Sequence, residues 1–251
     1  MINRVLRGTA LLGAIAAGLM LTPHSVEAFT IRRTLTGDPR SGNPDQLRLT
    51  LTIQTGADAG LADNQALWTV DIDSPAHPNI RLDEFYFNLS DRIRNFVTFS
   101  NFSPVSDTGN TWGVFSPANN AQGSGGADFD FGVRKAVPGG RPNERTPDVT
   151  NAVNLVFRMT LSDASLGALQ LTDFTAARYS ESRDSLLGSG QVGAHLQSLT
   201  VNSTTCPEGG CSRSGFVMGE IPTPAMLPGL MGLAAVAMRR RKAEEDAEQS
   251  A

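Results

Sequence analysis

The sequence predicts an all-β protein: an antiparallel β-sandwich of about nine or ten strands, flanked by an N-terminal signal helix and a C-terminal hydrophobic helix. Three observations carry this. Short runs alternate apolar and polar residues, turn residues separate the runs at close intervals, and strong helix signals are confined to the two ends of the chain.

The N-terminal element comes first. Arg4 and Arg7 precede an apolar run from Ala10 to Leu21, then helix-breaking Pro23 and the small-residue site Val26-Glu27-Ala28. This is the layout of a secretory signal peptide, and it predicts export and a signal-peptidase cut between Ala28 and Phe29. The apolar run is short for a membrane span of about 20 residues. The expected division of the chain is a signal at 1–28, a β-sandwich body at 29–220 and a C-terminal segment at 221–251.

Within the body, DQLRLTLTIQTG alternates strictly, with Leu47, Leu49, Leu51 and Ile53 on one face and Arg48, Thr50, Thr52 and Gln54 on the other. That is a half-buried strand. FTIRRTLT, ALWTVDI, LDEFYFNL, IRNFVTFSNF, TWGVFS, ADFDFGV, AVNLVFRMTL, AHLQSLTV and SGFVMGE read the same way. TGDPRSGNPD, SPAHPN, SPANNAQGSGG and VPGGRPNERTPD fall between them, rich in residues that set turns by dihedral preference. The best internal helix signal is SDASLGALQLTDF. Ser162 or Asp163 caps one short turn there, Gly167 interrupts it, and Leu169 and Leu171 continue as a strand.

The chain carries a net charge of −4. It has no basic footprint, so a nucleic-acid partner is not expected. Cys206 and Cys211 lie in CPEGGC. Export places them in an oxidising compartment, and Pro207, Gly209 and Gly210 let the chain turn back, which predicts a Cys206–Cys211 disulfide. The spacing is not C-x-x-C and no histidine is near, so a redox or metal role is not expected.

Catalytic constellations are thin. Beyond the signal only His77 and His195 are available, and no G-x-S-x-G elbow occurs. Asp71 and Asp73, and Asp128 and Asp130, are spaced to share a strand face. They lack the spacing of a calcium loop and read as solvated, with Val70, Ile72, Phe129 and Phe131 facing the core. No catalytic residue, metal site or cofactor is therefore expected. Trp68, Trp112, Tyr86 and Tyr179 are the only Trp and Tyr residues. Trp112, beside turns, is the better sugar-stacking candidate, although aromatics of this size usually enter cores.

In the C-terminal segment, residues 225–238 are apolar. A helix of that length covers roughly 21 Å, against a hydrocarbon core of about 30 Å. Arg239, Arg240, Arg241 and Lys242 follow as a stop-transfer cluster that stays cytoplasmic, with an acidic end at 243–251. The motif Ile221-Pro222-Thr223-Pro224-Ala225, the short apolar helix and the basic cluster together resemble a PEP-CTERM protein-sorting tail. Thr223 stands where glutamate is usual, similar to the PTPA variant of cyanobacterial proteins. The resemblance implies recognition by an exosortase-type transpeptidase at Pro222, Thr223, Pro224 and Ala225, transient anchoring in the membrane, and transfer of the body to the cell surface or an extracellular polymer such as an exopolysaccharide.

The function expected is that of an exported surface or matrix protein without a catalytic role. A secreted carbohydrate-binding module and an exported hydrolase are the alternatives.

Overall fold

The computed structural model describes residues 28–40, 42–107, 109–136, 146–206 and 211–222. Its elements, in chain order, are β1 (Thr30–Thr36), β2 (Arg48–Thr55), β3 (Gln65–Ile72), β4 (Arg81–Phe87), β5 (Val97–Ser103), β6 (Thr111–Phe115), β7 (Phe131–Ala136), β8 (Leu155–Leu161), a helical turn α1 (Thr172–Thr175), β9 (Ser180–Glu181), β10 (Ser189–Gly190), β11 (Val192–Gln197) and β12 (Ser214–Gly219). Two short 3-10 turns complete the set.

All strand pairs are antiparallel. The first sheet runs β1-β2-β3-β8-β5, the second β12-β11-β4-β7-β6, and β9 and β10 form a two-stranded ladder of their own. The two large sheets share one apolar core in a sandwich-like arrangement. Strict alternation explains why. Leu49, Leu51 and Ile53 of β2, Trp68 and Val70 of β3, and Phe157 and Met159 of β8 all point inward and are fully buried. Leu82, Phe85 and Phe87 of β4, Val133 of β7 and Ala194 and Leu196 of β11 meet them from the other sheet.

Trp68 sits where the sheets face each other. Its ring lies 5.6 Å from Phe157 in a stacked geometry, 4.7 Å from Phe87, 6.4 Å from Phe85 and 5.8 Å from Phe174. Its Nε1 is buried without a hydrogen-bond partner, so packing alone holds the ring.

The segment 162–174 forms the short capped turn that the sequence predicts and departs from expectation only beyond Gly167. Asp163 caps a 3-10 turn, accepting from the Ser165 N–H at 2.9 Å, and Gly167 ends it at φ 70°. Leu169 and Leu171 do not continue as a strand. The Leu169 N–H donates to Asp63 O, and Leu171 opens α1. Arg92 also donates to Leu166 O and Ala168 O, and Asp173 accepts the Gln170 N–H, so side chains and single backbone bonds satisfy this stretch without a ladder. The predicted signal helix within residues 1–28, apart from Ala28, and the predicted C-terminal helix at 225–238 lie outside the described residues.

Trp68→Ala is expected to destabilise the protein by about 3–5 kcal/mol, through lost burial and the cavity left among four phenylalanines. Urea unfolding followed by circular dichroism reads this out; a loss under about 1 kcal/mol would mean that the aromatic cluster is not the core's centre.

Candidate binding site at the disulfide end

Strand registers fix what lies at each end of the two-sheet body. Thr30 pairs with Gln54, and Val192 with both Phe87 and Gly219, so Phe29, Asn88, Gln191 and Ile221 share one end. Thr36 pairs with Arg48, Leu49 with Ile72, and Gln197 with both Arg81 and Ser214. The loops after β1, β3 and β11 therefore gather at the opposite end.

His77 organises that far end. It is fully buried, its Nε2–H donates to the Asp45 carbonyl at 2.7 Å, and its Nδ1 accepts the Thr200 N–H at 3.1 Å. Both ring nitrogens are thus engaged by backbone in the neutral Nε2–H tautomer. Asn151 braces the same loop, accepting the Ser74 N–H and donating to Ser74 O and His77 O. The predicted Cys206–Cys211 disulfide closes here, with Cα atoms 5.8 Å apart. Cys206 is buried and donates its N–H to Asn202 O. Among the described residues no cysteine is free.

Two clefts open beside this hub. One, of about 500 Å³, is lined by Asn79, Gln197, Ser198, Ser212, Arg213 and Ser214. The other, of about 460 Å³, includes Asp45, Gln46, Arg48 and Asp73 in its lining. Each contains a non-glycine residue in the left-handed region, Ser198 at φ 60° and Gln46 at φ 63°. Such positions cost of order 1–3 kcal/mol and persist only where their surroundings enforce them. Arg81 holds Ser198 by donating from Nε to Oγ at 3.0 Å. Neither cleft is lined by histidine, tryptophan or tyrosine.

His195 lies apart, on the outer face of the second sheet. The β4–β11 register shifts between His195 and Leu196, leaving Asp83 as an extra residue in β4. The bulge aims the Asp83 carboxylate at His195, with Oδ2 2.9 Å from Nδ1. Residues 116–130 strap this face. Gly123 sits so close that a Cβ there would lie 2.7 Å from His195 Cδ2. Beside the pair, the Tyr86 hydroxyl donates to Glu84 and accepts the Gln122 N–H. Burial, followed by the Glu84 carboxylate, pushes the Tyr86 phenol well above its ordinary range.

The other candidates resolve as follows. Trp112 is buried and its Nε1 donates to Pro147 O at 3.2 Å, so it offers no sugar platform; Trp68 and Tyr86 are also buried. Only Tyr179 is exposed, at 47%. Asp73 and Asp128 are solvated as expected, but Asp130 is 8% exposed. It accepts from Arg178 Nε at 2.9 Å and from the Leu89 N–H at 3.2 Å, because the 178–180 segment folds over it. No group of three metal-ligating residues occurs among the described residues, and no described helix is long and apolar enough to cross a membrane. Pro222 is exposed. Thr223, Pro224, Ala225, Arg239, Arg240, Arg241 and Lys242 lie outside the described residues. No protein-family model, curated protein or solved structure matches the chain.

Replacing His77 by Phe leaves the Asp45 carbonyl and the Thr200 N–H without their partner. A loss of at least about 2 kcal/mol in urea unfolding is expected, and an unchanged midpoint would remove His77 from its organising role. Tyr86 gives a pH signature. Above about pH 10 an unfolded tyrosine releases its proton while folded Tyr86 retains it, so stability contributed here is complete below that pH and declines above it. Unfolding midpoints at pH 9 to 11 should fall less steeply in Tyr86→Phe than in the parent.

Proposed function

We propose that the chain is an exported β module destined for the cell surface or an extracellular matrix, released from a signal peptide at Ala28–Phe29 and from a sorting tail near Pro224–Ala225. The observation that supports this most directly is where the two-sheet body takes hold of the chain. Phe29 donates its N–H to Thr55 Oγ1 at 3.2 Å and accepts the Thr55 N–H at 3.1 Å, and its ring meets Phe174 edge-on at 5.8 Å. Ile221 is 2% exposed and donates its N–H to Gln191 Oε1 at 2.8 Å, while the next residue, Pro222, is exposed. Gln191 is itself buried and donates to the carbonyls of Thr175 and Ala177.

A cut after Ala28 leaves Phe29 as the first residue, with an amine still placed to donate to Thr55. A cut near Pro224–Ala225 falls beyond the last residue that the described framework grips. The predicted cut after Ala28 adjoins Phe29, and the predicted cut near Pro224–Ala225 lies beyond Ile221. The disulfide agrees with an oxidising destination.

The deciding measurement is the pair of terminal peptides of the protein recovered from the cell surface. The reading expects Phe29 at one end and a C-terminus near Pro224. Recovery of a chain ending in EEDAEQSA would make the tail a permanent anchor. Substituting Pro222, Thr223 and Pro224 together is expected to leave uncut protein in the membrane fraction.

A further inference from the structure

The cleft at Asn79, Gln197, Ser198, Ser212, Arg213 and Ser214 has a lining of uniform chemistry. The lining residues carry two carboxamides, three hydroxyls and a single charge, the guanidinium of Arg213, and none has an apolar side chain. Arg213 is exposed and has no carboxylate partner among the described residues, whereas the neighbouring Arg81 is engaged by Ser198 and Asp148.

The cleft is also firmly built. Gln197 and Ser214 face each other across the β11–β12 register. The Ser214 N–H donates to Ser212 Oγ at 3.1 Å, and the two hydroxyls lie 3.1 Å apart. The Leu199 N–H donates to Arg213 O, which ties the left-handed turn at Ser198 to the segment carrying Arg213. Asn79 enters from the His77 loop and the other residues from the two ends of the β11–β12 connection, so two loops held by one buried histidine and one disulfide supply the walls.

We infer that this cleft binds a hydroxyl-rich carboxylate, a uronic-acid unit of an acidic saccharide. A carboxamide both donates and accepts, as does a serine hydroxyl, which matches adjacent hydroxyls of a sugar ring. The planar guanidinium fork matches a carboxylate in two-point geometry. Without an aromatic platform, the affinity comes from polar contacts and from Arg213. The cleft opens at the end of the body opposite Phe29 and Ile221, facing away from any tether at those residues. The inference needs the fold alone, not the processing of the ends.

The test is calorimetric titration of the full chain, in mild detergent, with tetragalacturonate, cellotetraose and sodium sulfate. Tetragalacturonate should bind, cellotetraose should bind at least about ten-fold more weakly, and Arg213→Gln should weaken tetragalacturonate by about ten-fold or more while leaving the melting temperature unchanged. Asn79→Ala should weaken it as well. No heat with tetragalacturonate at about 10 mM, or equal binding by Arg213→Gln, overturns the inference. Sulfate binding as tightly as tetragalacturonate overturns the saccharide assignment and leaves a bare anion site. Terminal peptides are a separate readout, so an uncleaved tail would not alter these outcomes.

Discussion

The contact of Trp68 with Phe85, Phe87, Phe157 and Phe174 sets the position of one sheet on the other. Phe157 belongs to the same sheet as Trp68, Phe85 and Phe87 to the facing one, and Phe174 to the helical turn that closes one end. A flat ring in this place tolerates few alternative stackings. Once it is seated, the strand registers carry its position outward to both ends. At one end Phe29 packs on Phe174. At the other, the loops that follow the strands meet around His77.

The second sheet is used unevenly on its outer face. The strap of residues 116–130 covers one part, where Tyr86, Phe129, Phe216 and Leu187 form a smaller apolar cluster. Asp130, the last residue of the strap, is neutralised by Arg178, with Arg94 at 3.8 Å, and buried Asp173 of α1 is paired with Arg92. These pairs hold irregular chain against the sheets. Breaking one partner of a buried pair is costly, which makes them positional devices more than sources of net stability. The uncovered part, toward Arg81, Gln197 and Ser214, is left polar and concave.

The ladder strands were legible in the sequence because their period is local. β2, β3 and β8 are read directly from alternation, and each buries the predicted set. β9 and β10 have two residues each, too few to display a period. The organising role of His77 was not legible: its partners, Asp45 and Thr200, lie 32 and 123 residues away. Asp83 offered no signal either, since a bulge appears only when two registers are compared. Asp130 was misplaced on a solvated face because nothing local announces the segment that folds back over it. The disulfide was legible because turn chemistry and spacing are contained within six residues.

Ile221 and the far cleft lie at opposite ends of the same strand. β12 joins them, and its partner β11 runs antiparallel beside it over Val192–Gln197. A load entering β12 at the Ile221 end and resisted by a ligand at Gln197 of β11 would act along the two strands rather than across them. The backbone hydrogen bonds of the pair would then be strained together, in shear, instead of parting one after another. Mechanical resistance in that direction would be set by the whole ladder, with Gln191 acting as a clip at the point where the pull enters.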